Sequence, residues 1–186
     1  MAFKRLVIDG YGQLELNNVA FRRDGRVEAQ CFLDATDFAS VPAENGMLLS
    51  VDKVAKVAKF ANTSLDCPIG IHYSSEHIYD GVYNGLKDFK LERGTFLPRI
   101  GYLAVGDLFT TNCFGFDSTE YADNAAVATA TTATALGTDP IYAGVGTGGV
   151  MVISETKPQA GPVLKVTKQT TMPDGQFALQ FQVLEA

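Results

Sequence analysis

The chain has 186 residues and a mass of 20.0 kDa, with 46% apolar and 19% charged side chains. That is enough apolar surface to offset the entropy of ordering, which excludes a disordered chain and suits one globular unit. Its 15 Lys and Arg against 21 Asp and Glu give a net charge of −6, which argues against a nucleic-acid partner, because phosphate binding needs a basic face.

From the N-terminus, MAFKRLVIDG places its apolar residues as a short strand would and lacks the apolar core of a signal peptide. Folding in a cytoplasm is the expectation. No apolar run approaches the ~20 residues of a membrane span, so no membrane partner is expected. Strands are predicted at 3–9 and 13–17. Turn dipeptides then punctuate the chain: Asp9-Gly10, Asp24-Gly25, Asn45-Gly46, Asp80-Gly81, Asn84-Gly85 and Asp174-Gly175. VAFRRDGRVEAQCFL (19–33) reads as a hairpin. A three-residue loop, Arg23-Asp24-Gly25, sets Phe21 against Val27 and Val19 against Ala29, which keeps one face apolar and gives Gly25 the positive φ of a bulge. Strands follow at 46–51, 56–60, 68–73, 96–105 and 108–114. VDKVAKVAKFA (51–61) has a helical composition, but its flanks favour a hairpin turning near Asp52-Lys53.

STEYADNAAVATATTATALG is the good helix candidate: Ser118 can cap it, Glu120 and Asp123 suit its N-terminal end, and Gly137 can close it. Strands at 140–145 and 149–153 come next. The last hairpin spans 163–184 around Met172-Pro173-Asp174-Gly175. Phe177, Leu179, Phe181 and Val183 alternate, so the final strand has one buried face. Pro-Asp-Gly favours an odd loop that pairs this face with Thr171, Gln169 and Thr167; an even loop pairs it with Val166 and Leu164. Both registers stay open. The fold class is therefore mainly β, barrel- or sandwich-like with hairpins, and carries one short α-helix around 118–136. Residues 1–186 form one compact chain, divisible into a hairpin lobe over 1–95 and a barrel-like lobe with the helix over 96–186.

The chemistry-bearing residues are sparse. Cys31, Cys67 and Cys113 are singletons without CxxC spacing and read as small buried hydrophobes in a reducing compartment, not as a disulfide or zinc framework. His72-Tyr-Ser-Ser-Glu76-His77 carries one residue too many for the inverted zinc-protease spacing, and no third ligand is visible. Gly144-Val-Gly146-Thr-Gly148-Gly149 satisfies G-x-G-x-x-G literally, but a strand-like run follows it where a helix should open, so it reads as a flexible turn. Asn62-Thr63-Ser64 carries no meaning without secretion. Asp34 and Asp37 read as solvated charge. No catalytic, cofactor or metal residues, and no cofactor, are assigned, and an enzyme is not expected.

Charge is uneven: residues 1–99 hold 12 basic and 13 acidic side chains, and residues 100–186 hold 3 and 8. Between Arg99 and Lys157 there is no Lys or Arg. Such a stretch packs against something, presents a low-charge docking surface, or is simply a Thr-, Ala- and Gly-rich loop region.

GTFLPRIGYLAVGDLFTTN from Gly94, then DPIYAGVGTGGVMVISETKPQAGPVLKVTKQTTMPDGQFALQFQVLEA, resembles small β-barrel virion proteins of tailed bacteriophages, particularly capsid decoration (cement) proteins. The opening MAFKRLVIDGYGQLELNNVAFRRDGRVEAQ is similar in style to phage structural proteins. The resemblance implies a multi-copy, homo-oligomeric virion protein made in the bacterial cytoplasm, with the major capsid protein or other virion proteins as partners. Its partner-binding residues are unknown. Three competitors remain. One is a tail, neck or baseplate component. Another is a carbohydrate-binding β module using Tyr73, Tyr79 and Tyr83. The third is an enzyme using His72 or His77.

Overall fold

The computed structural model of the chain describes residues 2–74 and 85–186; Glu76, His77, Tyr79, Asp80-Gly81, Tyr83 and Asn84 lie outside the described residues. In chain order the elements are β1 (Phe3–Arg5), β2 (Leu14–Asn18), α1 (Ala20–Asp24), β3 (Val27–Glu28), β4 (Phe32–Leu33), β5 (Leu48–Asp52), β6 (Val57–Phe60) and β7 (Ile69–His72). They continue with β8 (Ile100–Gly101), β9 (Leu108–Thr111), β10 (Phe114–Asp117), α2 (Asn124–Ala130), α3 (Ala133–Thr138), β11 (Tyr142–Val145), β12 (Met151–Ser154), β13 (Val163–Thr171) and β14 (Phe177–Glu185). The fold is mainly β, as the patterning implies. One sheet has the order β1-β10-β12-β11-β13-β14-β9-β2 and the other β3-β8-β7-β5-β6-β4. Both are mixed: β10 runs parallel to β12, and β4 to β6.

The connectivity forces the larger sheet to roll. Four strands separate β10 from β9, which in a flat sheet would hold them about 24 Å apart. Thr111 and Phe114 are nevertheless joined by only Asn112 and Cys113, a span of at most about 11 Å. The sheet curls until these strands meet. Rings confirm it: Phe114 of β10 lies 5.9 Å from Phe181 and 6.3 Å from Phe177 of β14, across the interior. Phe109, Phe116, Met151, Ile153, Leu164, Val166, Leu179 and Val183 fill the rest of that core. The barrel does not close by hydrogen bonds: β1 and β2 remain edges, and a seam is left beside Asn112–Cys113.

The smaller sheet lies against the roll with both faces covered. Leu48 and Ile71 join the first core. Leu49, Val51, Ala58 and Ile100 belong to a second, which Leu33, Phe38, Phe89 and Leu91 complete. The larger sheet takes β1 and β2 from the first 18 residues and its other strands from 108–185, whereas the smaller takes β8 from 100–101.

Several expected elements are confirmed and others corrected. β5 and β6 form the hairpin, with Asp52 Oδ1 accepting from the backbone N–H of Val54 and Ala55. At the C-terminus both registers occur in one hairpin. Thr171, Thr170, Gln169 and Lys168 follow the odd-loop pairing and Val166, Lys165 and Leu164 the even one, with Thr167 the extra residue between them. A bulge there reconciles turn chemistry with core pattern. The 19–33 hairpin is not formed. Ala20–Asp24 is a short helix whose C-cap Gly25 has φ 67°, β3 pairs with β8, and β4 pairs with β6. The cause is tertiary: Phe21 is fully buried against Tyr73 at 5.1 Å and against Gly101, where a Cβ would come within 2.5 Å of its ring. The single helix expected around 118–136 is two. Asp123 caps α2 by accepting from Ala126 N, Thr132 caps α3, and Ser118 Oγ instead donates to the Ala2 carbonyl. Of the strand expected over 96–105, only Ile100–Gly101 enters a ladder.

Candidate functional site

The most organised polar group sits at the seam. Glu44, 3% exposed, arrives on the segment that leads into β5. Its carboxylate accepts from Arg5 Nη1 at 2.9 Å and from Arg5 Nη2, and from the backbone N–H of Gly12. Its carbonyl accepts from the backbone N–H of Met47 at 3.2 Å and lies 2.9 Å from His72 Nδ1. One residue thus ties the edge of the rolled sheet to β7 of the smaller one. Around it, Thr111 Oγ1 donates to the Gln13 carbonyl and accepts from Cys113 N, and Asn112 Oδ1 accepts from Gln13 N. Gly12 and Gly46 pack directly on Cys113: a Cβ at Gly12 would come within 2.6 Å of the Cys113 side chain.

His72 is fully buried. A carbonyl can only accept, so Nδ1 carries the hydrogen, and Nε2 accepts from Ser74 Oγ at 2.7 Å, which itself accepts from Arg99 N at 2.8 Å. Burial pushes the imidazole pKa down to about 4, outweighing the carbonyl bond and the Glu44 charge, which pull upward. Both ring nitrogens are therefore committed to structure. Cys113 is buried, and burial followed by the Glu44 charge pushes its thiol up to about 12. Cys31 is also buried and shifted upward by burial first; all three cysteines are unbridged. Among the described residues, no group of three or more His, Cys, Asp or Glu is placed to hold a metal ion, and no helix is long and apolar enough to cross a membrane.

The other sequence features separate. Tyr73, one of the three tyrosines of the carbohydrate alternative, is buried in the core, and Tyr79 and Tyr83 lie outside the described residues. The glycine-rich run is the turn of the β11–β12 hairpin, closed by a 3-10 turn at Thr147–Gly149, and Gly149 packs on the Leu48 carbonyl and the Phe60 ring. The cation-free stretch has two causes. β10 and β12 are buried along their whole length, which leaves no room there for Lys or Arg; the one charged residue, Asp117, has its carboxylate bonded to Thr119. Much of the exposed remainder lies in Ser118–Asp123, apart from buried Tyr121, and in α2 and α3, where Ser, Thr, Ala and acids face out.

Sequence reasoning missed the exposed apolar side chains. Among the described residues these are Val7, Phe32, Val41, Val54, Leu65, Phe96 and Val105, and only Val105 falls in the cation-free stretch. Phe32 (60% exposed) stands on edge strand β4, whose N–H donates to the Lys56 carbonyl beside the turn bearing Val54 (96% exposed). Their pattern in the sequence does not differ from that of core residues, because β4 faces the core through Leu33 alone. Shallow grooves of about 440–450 Å³ flank this sheet, one lined by Asp37, Lys59, Phe60, Asn62 and Leu65 and one by Tyr11, Phe38, Val41, Lys90 and Arg93. No family model, no curated protein and no solved structure matches the chain.

Proposed function

We propose that the protein is a non-enzymatic, multi-copy virion structural protein of a tailed phage, specifically a capsid decoration protein that binds and stabilises the head shell. The observation that carries this reading is exposed Phe32 on an open edge strand and exposed Val54 on the β5–β6 turn, together with buried Glu44 and His72 that are committed to structural bonds. Adhesion needs exposed apolar contact area and a rigid body, not a poised acid–base pair. Supporting it further are the resemblance of the 94–186 segment to decoration proteins and the uncharged Thr and Ala surface of α2 and α3. On a symmetric shell, many modest contacts act together, so each interface can be weak while the coat is firmly held.

The test is gel and mass-spectrometric analysis of purified particles from a host carrying the gene, followed by localisation of the polypeptide by electron cryomicroscopy. Presence on the head shell in high copy supports the reading. Location at the tail, neck or baseplate replaces decoration with the alternative structural role, and absence from particles ends the virion proposal.

A further inference from the structure

Glu44 and His72 together do something the adhesive reading does not require. The Ala43–Met47 segment is held from both sides. Glu44 plugs the seam of the rolled sheet through Arg5 and Gly12, while the Gly46 N–H donates to the His72 carbonyl and the His72 N–H to the Met47 carbonyl. The His72 ring closes the circuit by joining the Glu44 carbonyl to Ser74, and Ser74 to Arg99 ahead of β8. We propose that the Glu44–His72–Ser74 chain is an acid-sensitive latch between the two sheets, which releases the Ala43–Met47 turn, and with it the Glu44 plug, when His72 takes up a proton.

Full burial and the existing bonds both penalise protonation in place. The hydrogen on Nδ1 is fixed by a carbonyl, so the incoming proton must land on Nε2, which already accepts from Ser74. The serine hydrogen would then have to leave that bond. Among the described residues, the groups around the ring offer little to hold a cation, and the cationic Arg99 is the next residue in the chain of bonds after Ser74. In the ladders, Leu48 of β5 lies opposite Ile71 and Ile100 of β8 opposite His72, the 86–89 turn brings the Phe89 ring at 6.5 Å, and Glu44 brings a carboxylate already occupied by Arg5 and Gly12. Cys113, the other titratable group at the plug, is neutral. An opened turn, with the imidazole in water, accommodates the charge better than the closed one.

The sign follows. His72 binds its proton more weakly closed (about 4) than open (6.5), so the closed latch is fully favoured above pH 6.5 and loses ground as pH falls toward 4. Between pH 7.5 and 4.5 the opening constant should rise by about 70-fold from this one group.

Native-state hydrogen exchange, corrected for intrinsic rates, reads this directly. In the wild-type protein the amides of Gly46, Met47, His72 and Tyr73 should lose about 70-fold protection between pH 7.5 and 4.5, while Leu179 and Phe181 in β14 change by less than about 3-fold. His72→Gln should flatten the pH dependence at the latch amides. Unchanged latch protection, an equal loss throughout β14, or full pH dependence surviving in His72→Gln each overturns the proposal. If that variant fails to fold, NMR titration of the wild-type imidazole decides. A midpoint near 4 with a hydrogen on Nδ1 supports the latch, and one near 6.5 refutes it.

Discussion

At the scale of single residues, glycines and buried polar groups set the tolerances. Gly25 and Gly12 show how differently one substitution acts. Gly25 has φ 67° with nothing within 4 Å of a would-be Cβ, so Gly25→Ala meets backbone strain alone and should cost about 1 kcal/mol. Gly12→Ala would drive a methyl onto Cys113 and the Asn45 carbonyl in the seam, and should cost more than about 2 kcal/mol. Denaturant titration of the two variants checks the ranking; equal costs would refute it. Glu44→Gln keeps an acceptor for Gly12 but loses the charge on the Arg5 bonds. It should lower stability by about 2 kcal/mol, moderated because Arg5 is partly exposed to water. Among the thiols, Cys67 is part-exposed whereas Cys31 and Cys113 are buried, so a thiol reagent should label Cys67 quickly in the native protein and the other two only on unfolding. Peptide mapping after brief labelling distinguishes this from uniform reaction.

At the scale of elements, what the sequence reveals depends on whether the deciding contact is local. The β5–β6 and β13–β14 hairpins are legible because turn chemistry and alternation sit within some twenty residues of each other. Even the two competing C-terminal registers were real, and Thr167, whose hydroxyl bonds to Gln180, switches between them. Arg23-Asp24-Gly25 suits two structures by sequence, because a positive-φ glycine serves a hairpin bulge and a helix C-cap equally. Only Phe21 docking on Gly101, 80 positions away, selects the helix. Similarly, Ser118 and Asp123 are both acceptable caps by composition, and the pairing of Ser118 with Ala2 decides between them. Asp123→Ala should therefore destabilise α2 and cost the protein about 1 kcal/mol, with Ser118→Ala costing less than half as much. Thermal unfolding of both checks this, and the reverse order would contradict the assignment. The seam was invisible for the same reason at greater range: Arg5, Gly12, Glu44, His72 and Cys113 share no spacing and meet only when the sheet rolls.

At the scale of the whole molecule, the structure selects among the readings of the cation-free stretch. Much of the cation-free stretch is core, namely β10 and β12, so low charge there reflects burial and not docking. Among the described residues, the surfaces proposed to meet a partner are the Thr and Ala face of α2 and α3 and the exposed Phe32 and Val54 on β4 and the β5–β6 turn. If the protein attaches to a shell through that edge, Phe32→Asp with Val54→Asp should leave the isolated protein folded, since both side chains are already exposed, and should abolish incorporation into particles. The most direct measurement is the copy number and position of the polypeptide in purified virions, by quantitative mass spectrometry with electron cryomicroscopy. The account predicts many copies arrayed on the head shell; particles that lack the polypeptide altogether would contradict it.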